Sequence, residues 1–184
     1  MKNLFKIVIT GGPCSGKTTV INLLKEKNYK VIPEVATIII KENLNKDDTE
    51  ILTWKNFKKF QKEVIKRQLK YENMLNNEEG IVFLDRGIYD SIAYLKKEKI
   101  EDKSLFKVCK SDYDIIFILE PLPFLESNDI RRESEEERKL IHFLIYDTYK
   151  EYFDRIFIIH VYNPRKRVEE ILKIVNDYVK KYTY

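Results

Sequence analysis

The stretch GGPCSGKT at residues 11–18 decides the fold. It matches G-x-x-x-x-G-K-[ST], the P-loop, in which glycines let the backbone N–H groups wrap a phosphate at the start of a helix. Before it, LFKIVIT at residues 4–10 has the β-branched, apolar character of a buried strand. After it, apolar residues recur at helical spacing as far as Asn28. Strand, glycine loop and helix are the context that the motif requires, so the sequence predicts a site for nucleotide phosphates.

Two side chains of the loop have defined chemistry. Lys17 is placed to reach the β- and γ-phosphate oxygens, and the Thr18 hydroxyl is placed to ligate Mg²⁺. The residues expected to bind the nucleotide here are Gly11, Gly12, Pro13, Cys14, Ser15, Gly16, Lys17, Thr18 and Thr19.

Composition favours an ordinary solvated surface over that of a nucleic-acid binder. Charged residues make up 35% of the chain, but the signs are interleaved and the formal net charge is only +4. A nucleic-acid protein more often concentrates its basic residues in one stripe. The two cysteines, Cys14 and Cys109, and the two histidines lie far apart, so we expect no structural zinc. The sequence shows no secretory signal and no run of membrane-spanning length, which predicts a cytoplasmic protein.

Strands alternate with helices along the 184 residues, which we interpret as one domain, 1–184. The predicted strands are 4–10, 29–33, 81–84, 113–119 and 156–161, and the predicted helices after the first are 35–44, 51–76, 88–97, 103–110, 134–153 and 168–182. This order predicts an α/β fold: a P-loop NTPase with a doubly wound parallel sheet of about five strands, whose ligands bind at the carboxyl ends of the strands. An irregular segment without clean periodicity precedes the sixth helix and suggests a lid over roughly 121–138.

Glu34, Asp85 and Glu120 each follow one of these strands. Asp85 ends an unbroken apolar strand and can hold Mg²⁺ directly or through water, although an aspartate there can also simply form a turn. Arg86 can pair with a substrate anion or clamp a neighbouring carboxylate. Glu34 can orient or deprotonate an alcohol nucleophile, and is otherwise a surface residue before a helix. Asp90 is either functional or only an acid at a helix start.

The long helix carries amides on its apolar stripe. Gln61 and Gln68 need hydrogen-bond partners, which are either backbone groups or the polar edges of a bound ring. Trp54, Phe57 and Tyr89 are candidates to pack against such a ring, and otherwise belong to the core.

Arginines in and after the irregular segment are candidates to close over the phosphates. Arg131, Arg132 and Arg138 would supply positive charge to a transferring phosphoryl group, unless they form salt bridges with the neighbouring glutamates. Asn163, Pro164 and Arg165 follow the last strand and are candidates to flank the nucleotide base, ahead of Arg167.

These motifs, in this order, resemble known families. The P-loop, VIPEVA at 31–36 and the pair Asp85-Arg86 resemble the deoxynucleoside kinase pattern, in which a glutamate after the second strand is the catalytic base. FLDRGIYDS at 83–91 and the arginine-bearing segment are similar to the NadR-like AAA domain family, relatives of nicotinamide riboside kinase. Asp85 stands where the deoxynucleoside kinases usually have glutamate, so the resemblance implies a kinase without naming its acceptor.

The sequence therefore predicts a kinase that moves the γ-phosphate of Mg-ATP to a hydroxyl of a small molecule, and the resemblance implies that this molecule is a nucleoside or a nucleoside-like compound. Lys17, Arg131 and Arg132 would stabilise the phosphoryl group, Thr18 and Asp85 would hold Mg²⁺, and Glu34 with Arg86 would face the acceptor. One alternative is a nucleotide-dependent switch or ATPase without an acceptor. Another is a polynucleotide kinase, which the lack of a basic stripe with interleaved aromatics disfavours.

Overall fold

The sheet and helices follow the predicted order. The computed structural model describes residues 2–44, 55–123 and 134–182. The strands are β1 (Leu4–Thr10), β2 (Lys30–Ile32), β3 (Gly80–Asp85), β4 (Ile115–Leu119) and β5 (Ile156–Ile159). The helices are α1 (Lys17–Glu26), α2 (Val35–Leu44), α3 (Phe57–Asn73), α4 (Ile88–Lys97), α5 (Lys103–Val108), α6 (Glu135–Tyr152) and α7 (Pro164–Tyr182).

All five strands are parallel and lie in the order β2-β3-β1-β4-β5. The chain winds away from β1 in both directions, so the carboxyl end of β1 is a switch point where ligands bind. The register pairs Ile9 with Asp85 and Ile32 with Leu84. The ends of β1, β2 and β3 therefore lie at the same edge of the sheet, and they bring the P-loop, Glu34 and Asp85 close together. The predicted α/β architecture is confirmed.

The central strands are apolar because both of their faces are covered. On one face Val8, Leu84 and Ile116 pack with residues of α3, α4 and α6. On the other face, Ile7 and Phe117 pack with residues of α1 and α7.

Helix boundaries differ from the predicted ones for local reasons. Helix α3 begins at Phe57 because the Asn56 side chain accepts the Lys59 N–H at 3.0 Å and caps it. Helix α7 begins at Pro164, four residues earlier than the periodicity suggests. There the Asn163 side chain accepts the N–H groups of Arg165 and Lys166, and proline suits the first helical position. Within the described ranges, no helix is long and apolar enough to cross a bilayer.

Candidate active site

The P-loop is wedged between the end of β4 and helix α6. Gly11 has a φ of 140°, and a Cβ there would lie 2.6 Å from the Leu119 carbonyl oxygen. A Cβ on Gly12 would lie 2.9 Å from the Cβ of His142 in α6. Gly16, at the start of α1, has a φ of 76°, in the left-handed region. The first two glycines are therefore required by close approach, and the third by backbone conformation.

Lys17 folds back over its own loop. Its ammonium donates to the carbonyl oxygens of Gly11 and Gly12 at 2.9 and 2.7 Å, and to the Ser15 hydroxyl at 3.1 Å. Burial lowers the pKa of Lys17 to about 7, and the positive charge of Arg86 acts in the same direction. The Lys17 ammonium thus contacts only the dipoles of two carbonyl groups and a hydroxyl among these hydrogen bonds. A full negative charge nearby would stabilise its protonated form further.

His142 and Arg167 hold the loop in position. The sequence analysis did not single out His142 and ranked Arg167 last among the residues after the final strand. His142 accepts the Gly12 N–H on Nδ1 at 3.2 Å, and burial lowers the pKa of this imidazole. Arg167 is only 1% exposed and donates to the backbone oxygens of Val161, Ser15 and Glu120, the last at 2.8 Å. It therefore joins the P-loop to the ends of β4 and β5. A single arginine in a helical pattern gives no signal for this role.

The predicted base-flanking residues lie at the start of α7, and their role stays a prediction. Asn163 and Arg165 are exposed, and the Asn163 side chain caps α7, while Arg167 is the residue that contacts the loop. Arg167 lies on the buried face of α7, beside Val168 and Ile171.

Arg86 connects the two acids at the sheet edge. Its Nε donates to Glu34 Oε1 at 2.6 Å and its Nη1 donates to Asp90 Oδ1 at 3.1 Å. Arg86 has a φ of 70°, and its backbone N–H donates to the Ile9 carbonyl at 3.0 Å, which anchors the turn after β3. Of the two interpretations of Arg86, the structure shows the clamp on neighbouring carboxylates.

Asp90 does more than begin a helix. It is 3% exposed, and besides Arg86 it accepts the Thr10 hydroxyl at 2.5 Å, the Gly87 N–H at 3.1 Å and the Tyr149 hydroxyl at 2.7 Å. These donors come from β1, the turn before α4, and α6. The carboxylate therefore ties three elements to the guanidinium of Arg86.

The two strand-end acids have opposite pKa shifts. Burial opposes the ionisation of Glu34, but the charge of Arg86 and a hydrogen bond from the Thr37 hydroxyl lower its pKa to about 2. Burial, with repulsion from Glu34, raises the pKa of Asp85 to about 6. Glu34 is thus an anion at neutral pH. A cation near Asp85 would stabilise the ionised form of this carboxyl group and lower its pKa.

Two cavities meet at this acid–arginine cluster. The first, of about 310 Å³, lies between α2, α3 and α4, and we call it the helix cavity. The second, of about 400 Å³, is walled by residues of the P-loop and Leu122, and we call it the loop cavity. Four residues line both: Pro13, Glu34, Asp85 and Arg86. The arrangement can hold two ligands that touch at Glu34, Asp85 and Arg86.

The helix cavity contains three of the predicted ring-binding residues. Phe57, Gln61 and Gln68 line it, together with Phe60, which the sequence analysis did not single out. Tyr94, which the sequence analysis missed, also lines the cavity, and the Arg86 guanidinium lies 5.5 Å from the centre of its ring. The missed signal was helical spacing, because Tyr94 lies four residues beyond Asp90 on the same face of α4.

Tyr89 does not line the helix cavity, and the structure places it in the core, which is the other interpretation that the sequence left open. It is 5% exposed and packs among the rings of Tyr113, Tyr152 and Phe153 in the core. Tyr89 and Tyr94 are five residues apart, which in a helix puts them about 140° apart around the axis.

The loop cavity contains most of the predicted phosphate-binding residues. Residues 13–19 line it, and Thr18 and Thr19 are exposed there. Arg138 lines a separate hollow of about 530 Å³ with Glu120 and His142. The Arg138 Nε is buried without a hydrogen-bond partner in the described part of the chain. Trp54, Arg131 and Arg132 lie outside the described residues, so their roles stay predictions.

Known proteins share this architecture. The AAA domain family model matches residues 6–167. A search of the curated proteins finds no significant match. Among solved structures, the thymidylate kinase of Ehrlichia chaffeensis has a TM-score of 0.65 at 20% identity, covering 95% of this chain and 100% of that one. The deoxyadenosine kinase of M. mycoides with bound dATP has a TM-score of 0.64 at 18% identity, covering 94% and 100%.

A NadR protein in complex with NR has a TM-score of 0.68 at 20% identity, with 95% of this chain and 51% of that chain covered. This chain thus spans about half of that protein. The resemblance predicted from the sequence is confirmed, and the fold is that of P-loop nucleoside and nucleotide kinases. At this level of identity the likeness establishes the fold, and that fold implies nucleotide binding.

Proposed function

The chain belongs to the AAA domain family, and on that premise we propose that it is a kinase, which transfers the γ-phosphate of Mg-ATP to a hydroxyl of a small, nucleoside-like molecule. One observation carries the proposal: the loop cavity and the helix cavity share the walls formed by Glu34, Asp85 and Arg86. A nucleotide-dependent switch needs the loop cavity and has no use for the helix cavity.

The donor nucleotide occupies the loop cavity. Successive backbone N–H groups at the start of α1 favour an anion there. The γ-phosphate also provides the full negative charge that the buried Lys17 ammonium lacks among loop carbonyls. This supports ATP binding at residues 11–19, with the phosphates toward Asp85.

Mg²⁺ fits the oxygen donors of this cavity. Thr18 offers a hydroxyl and Asp85 a carboxylate, and both line the loop cavity. Hard oxygen ligands of this kind, completed by phosphate oxygens and water, are what Mg²⁺ prefers. When bound, the ion neutralises charge on the phosphates. A nearby cation would also relieve the raised pKa of Asp85.

The acceptor occupies the helix cavity. Its volume of about 310 Å³ is at the lower end of the range for small-molecule sites. Phe57, Phe60 and Tyr94 offer apolar and aromatic surface, while Gln61 and Gln68 offer polar groups. Aromatic walls with a few polar groups suit a flat, partly polar ring.

Glu34 orients the acceptor hydroxyl. The hydroxyl donates to the Glu34 carboxylate, and its oxygen attacks the γ-phosphorus while the bond from that phosphorus to ADP breaks. The products are ADP, the phosphorylated acceptor and a proton. With a pKa of about 2, Glu34 is a weak base, so its main contribution is orientation, which a loose phosphoryl-transfer transition state requires more than early proton removal. Arg86 holds the carboxylate in place.

The proposal is tested by incubating the protein with Mg-ATP and a library of nucleosides and vitamins, followed by mass spectrometry. We expect one class of compound to gain a phosphoryl group. Glu34→Gln should lose at least tenfold in kcat while its affinity for ATP stays within about twofold. The matched control is Glu78→Gln, which removes a surface ion pair with Lys30 at the opposite end of the sheet. ATP hydrolysis without any phosphorylated product would reject the kinase and favour the switch.

A further inference from the structure

A buried carboxylate lies behind the helix cavity and has no part in the proposed chemistry. Glu72, in the last turn of α3, is 5% exposed. Its Oε1 accepts from Gln68 Nε2 at 2.9 Å and from the Tyr113 hydroxyl at 2.6 Å, and its Oε2 accepts from the Ser111 hydroxyl. Three donors from two segments of the chain therefore converge on one acid.

The direction of the two hydroxyl bonds follows from the next partners along. Tyr113 accepts the Ile88 backbone N–H at 2.8 Å, and Ser111 accepts from the Lys6 ammonium at 3.3 Å. A backbone N–H and an ammonium can only donate, so each hydroxyl directs its own hydrogen to Glu72. Burial, reinforced by the charge of Glu72, raises the pKa of Tyr113 well above its ordinary value, which keeps the phenol protonated.

This network determines which way the Gln68 amide faces. With Glu72 already accepting from both hydroxyls, only the NH₂ group of Gln68 can face it. A flipped amide would bring two oxygens to about 2.9 Å, a spacing that only a hydrogen bond makes favourable. Gln68 is 4% exposed and lines the helix cavity. The carbonyl oxygen, at the other corner of the amide, is the part left to accept from a ligand.

We propose that Glu72 is a positioning residue that fixes the Gln68 amide with its carbonyl oxygen toward the helix cavity, so that the cavity selects acceptors whose ring presents an N–H donor. The inference rests on the proposed function, because it assumes that the acceptor ring occupies the helix cavity. Its ligand class is a nucleoside with an exocyclic amino group. Such a ring loses a hydrogen bond when the amino group is removed, and leaves the Gln68 oxygen buried and unpaired.

The selectivity is measured with two pairs of nucleosides. Adenosine and purine riboside differ by one exocyclic amino group, and so do cytidine and pyrimidin-2-one riboside. For each pair, calorimetry gives the Kd and the coupled kinase assay gives kcat/KM. We expect the wild type to prefer the amino-bearing member of at least one pair by about three- to tenfold.

The role of Glu72 is isolated by a double-mutant cycle. Glu72→Met and Gln68→Met each keep the length of the side chain and remove its hydrogen bonding. Each variant should bind and phosphorylate the two members of a pair about equally well. The double variant should lose no more of this preference than either single variant, because both substitutions act through the Gln68 amide. Glu63→Met, on the same helix but in a surface ion pair with Arg67, should keep the preference.

A second readout does not depend on catalysis. In ¹⁵N-labelled protein, the side-chain NH₂ signal of Gln68 is identified by its loss in Gln68→Met. We expect slow hydrogen exchange of this group in the wild type and exchange at least tenfold faster in Glu72→Met. If Glu72→Met does not fold, Gln68→Met and the wild-type exchange rate still decide the matter.

The outcomes separate the two proposals. A preference that survives in Gln68→Met, or Gln68 exchange unchanged in a folded Glu72→Met, overturns the inference while leaving the kinase intact. If the wild type binds and phosphorylates none of the four nucleosides, but phosphorylates another compound in the library, the selectivity for an exocyclic amino group is rejected and the kinase stands. If no compound at all is phosphorylated, the proposed function fails, and the exchange measurement alone accepts or rejects the positioning of Gln68.

Discussion

One guanidinium joins Glu34 and Asp90: Arg86 donates to Glu34 Oε1 at 2.6 Å and to Asp90 Oδ1 at 3.1 Å. Glu34 precedes helix α2, whereas Asp90 lies in the first turn of α4. The position of the Glu34 carboxylate, which we propose faces the acceptor, is thus set by an acid buried in α4.

Asp90→Asn should therefore act on both stability and turnover. An amide oxygen can replace one carboxylate oxygen, but the NH₂ group must face a donor. We expect a loss of about 1–3 kcal/mol in the free energy of unfolding, measured by denaturant titration. We also expect kcat to fall about tenfold with little change in the ATP Kd. Tyr149→Phe, which removes one donor to Asp90, should cost only about 1 kcal/mol. Equal losses in the two variants would contradict this account of Asp90.

Gly12→Ala should disable nucleotide binding. The added Cβ would lie 2.9 Å from His142 Cβ and 3.3 Å from the Arg138 carbonyl, so the P-loop or α6 must shift. We expect the ATP Kd, measured by calorimetry, to rise at least tenfold. Gly80→Ala is the control, because its Cβ meets no atom within 4 Å and its cost is confined to a φ of +90°. It should lower stability by about 1 kcal/mol and leave the ATP Kd unchanged.

Arg167→Met should loosen the P-loop without touching the nucleotide. Three backbone carbonyls lose a charged donor inside the protein, so we expect a loss of about 3 kcal/mol in stability and a weaker affinity for ATP. The neighbouring exposed Lys166→Met should be silent in both assays. Retention of wild-type thermal stability in Arg167→Met would show that these hydrogen bonds are dispensable.

The pH dependence of stability should reveal the Glu34–Arg86 pair. The pKa of Glu34 falls from an ordinary 4.5 to about 2 in the folded protein, so folding releases a proton between these values. The stabilisation is fully present above about pH 4.5 and is lost as pH falls through 2. We expect the stability difference between wild type and Glu34→Gln, at most about 3 kcal/mol at pH 7, to shrink steadily below pH 4.5. A difference that does not change down to pH 2.5 would mean that the pair does not lower this pKa.

The sequence was sufficient to predict the sheet and the P-loop, because both depend on local signals. The P-loop has a fixed spacing, and apolar runs that end in Asp85 or precede Glu34 mark the carboxyl ends of parallel strands. Tyr94 and Tyr89 show where this reasoning stops. Both are aromatic residues of α4, and only the packing of that helix against its neighbours decides which one faces the cavity.

Long-range hydrogen bonds were equally invisible in the sequence. His142 accepts from a residue 130 positions earlier, and Arg167 donates to one 152 positions earlier. Contacts between residues so far apart in the sequence produce no periodic pattern from which they could be predicted. Asp90 was recognised as a helix-start acid, but its bonds to Thr10 and Tyr149 follow from how β1, α4 and α6 meet.

The wall that the two cavities share has a consequence for inhibitor chemistry. Pro13, Glu34, Asp85 and Arg86 line both spaces, so the two spaces adjoin at these four side chains. A bisubstrate compound, in which adenosine and an amino-bearing nucleoside are tethered through a polyphosphate chain, could fill both spaces at once. Under the proposed function, its tether would run past Glu34 in place of the transferred phosphoryl group, and its affinity would report directly on how far apart the protein holds ATP and the acceptor.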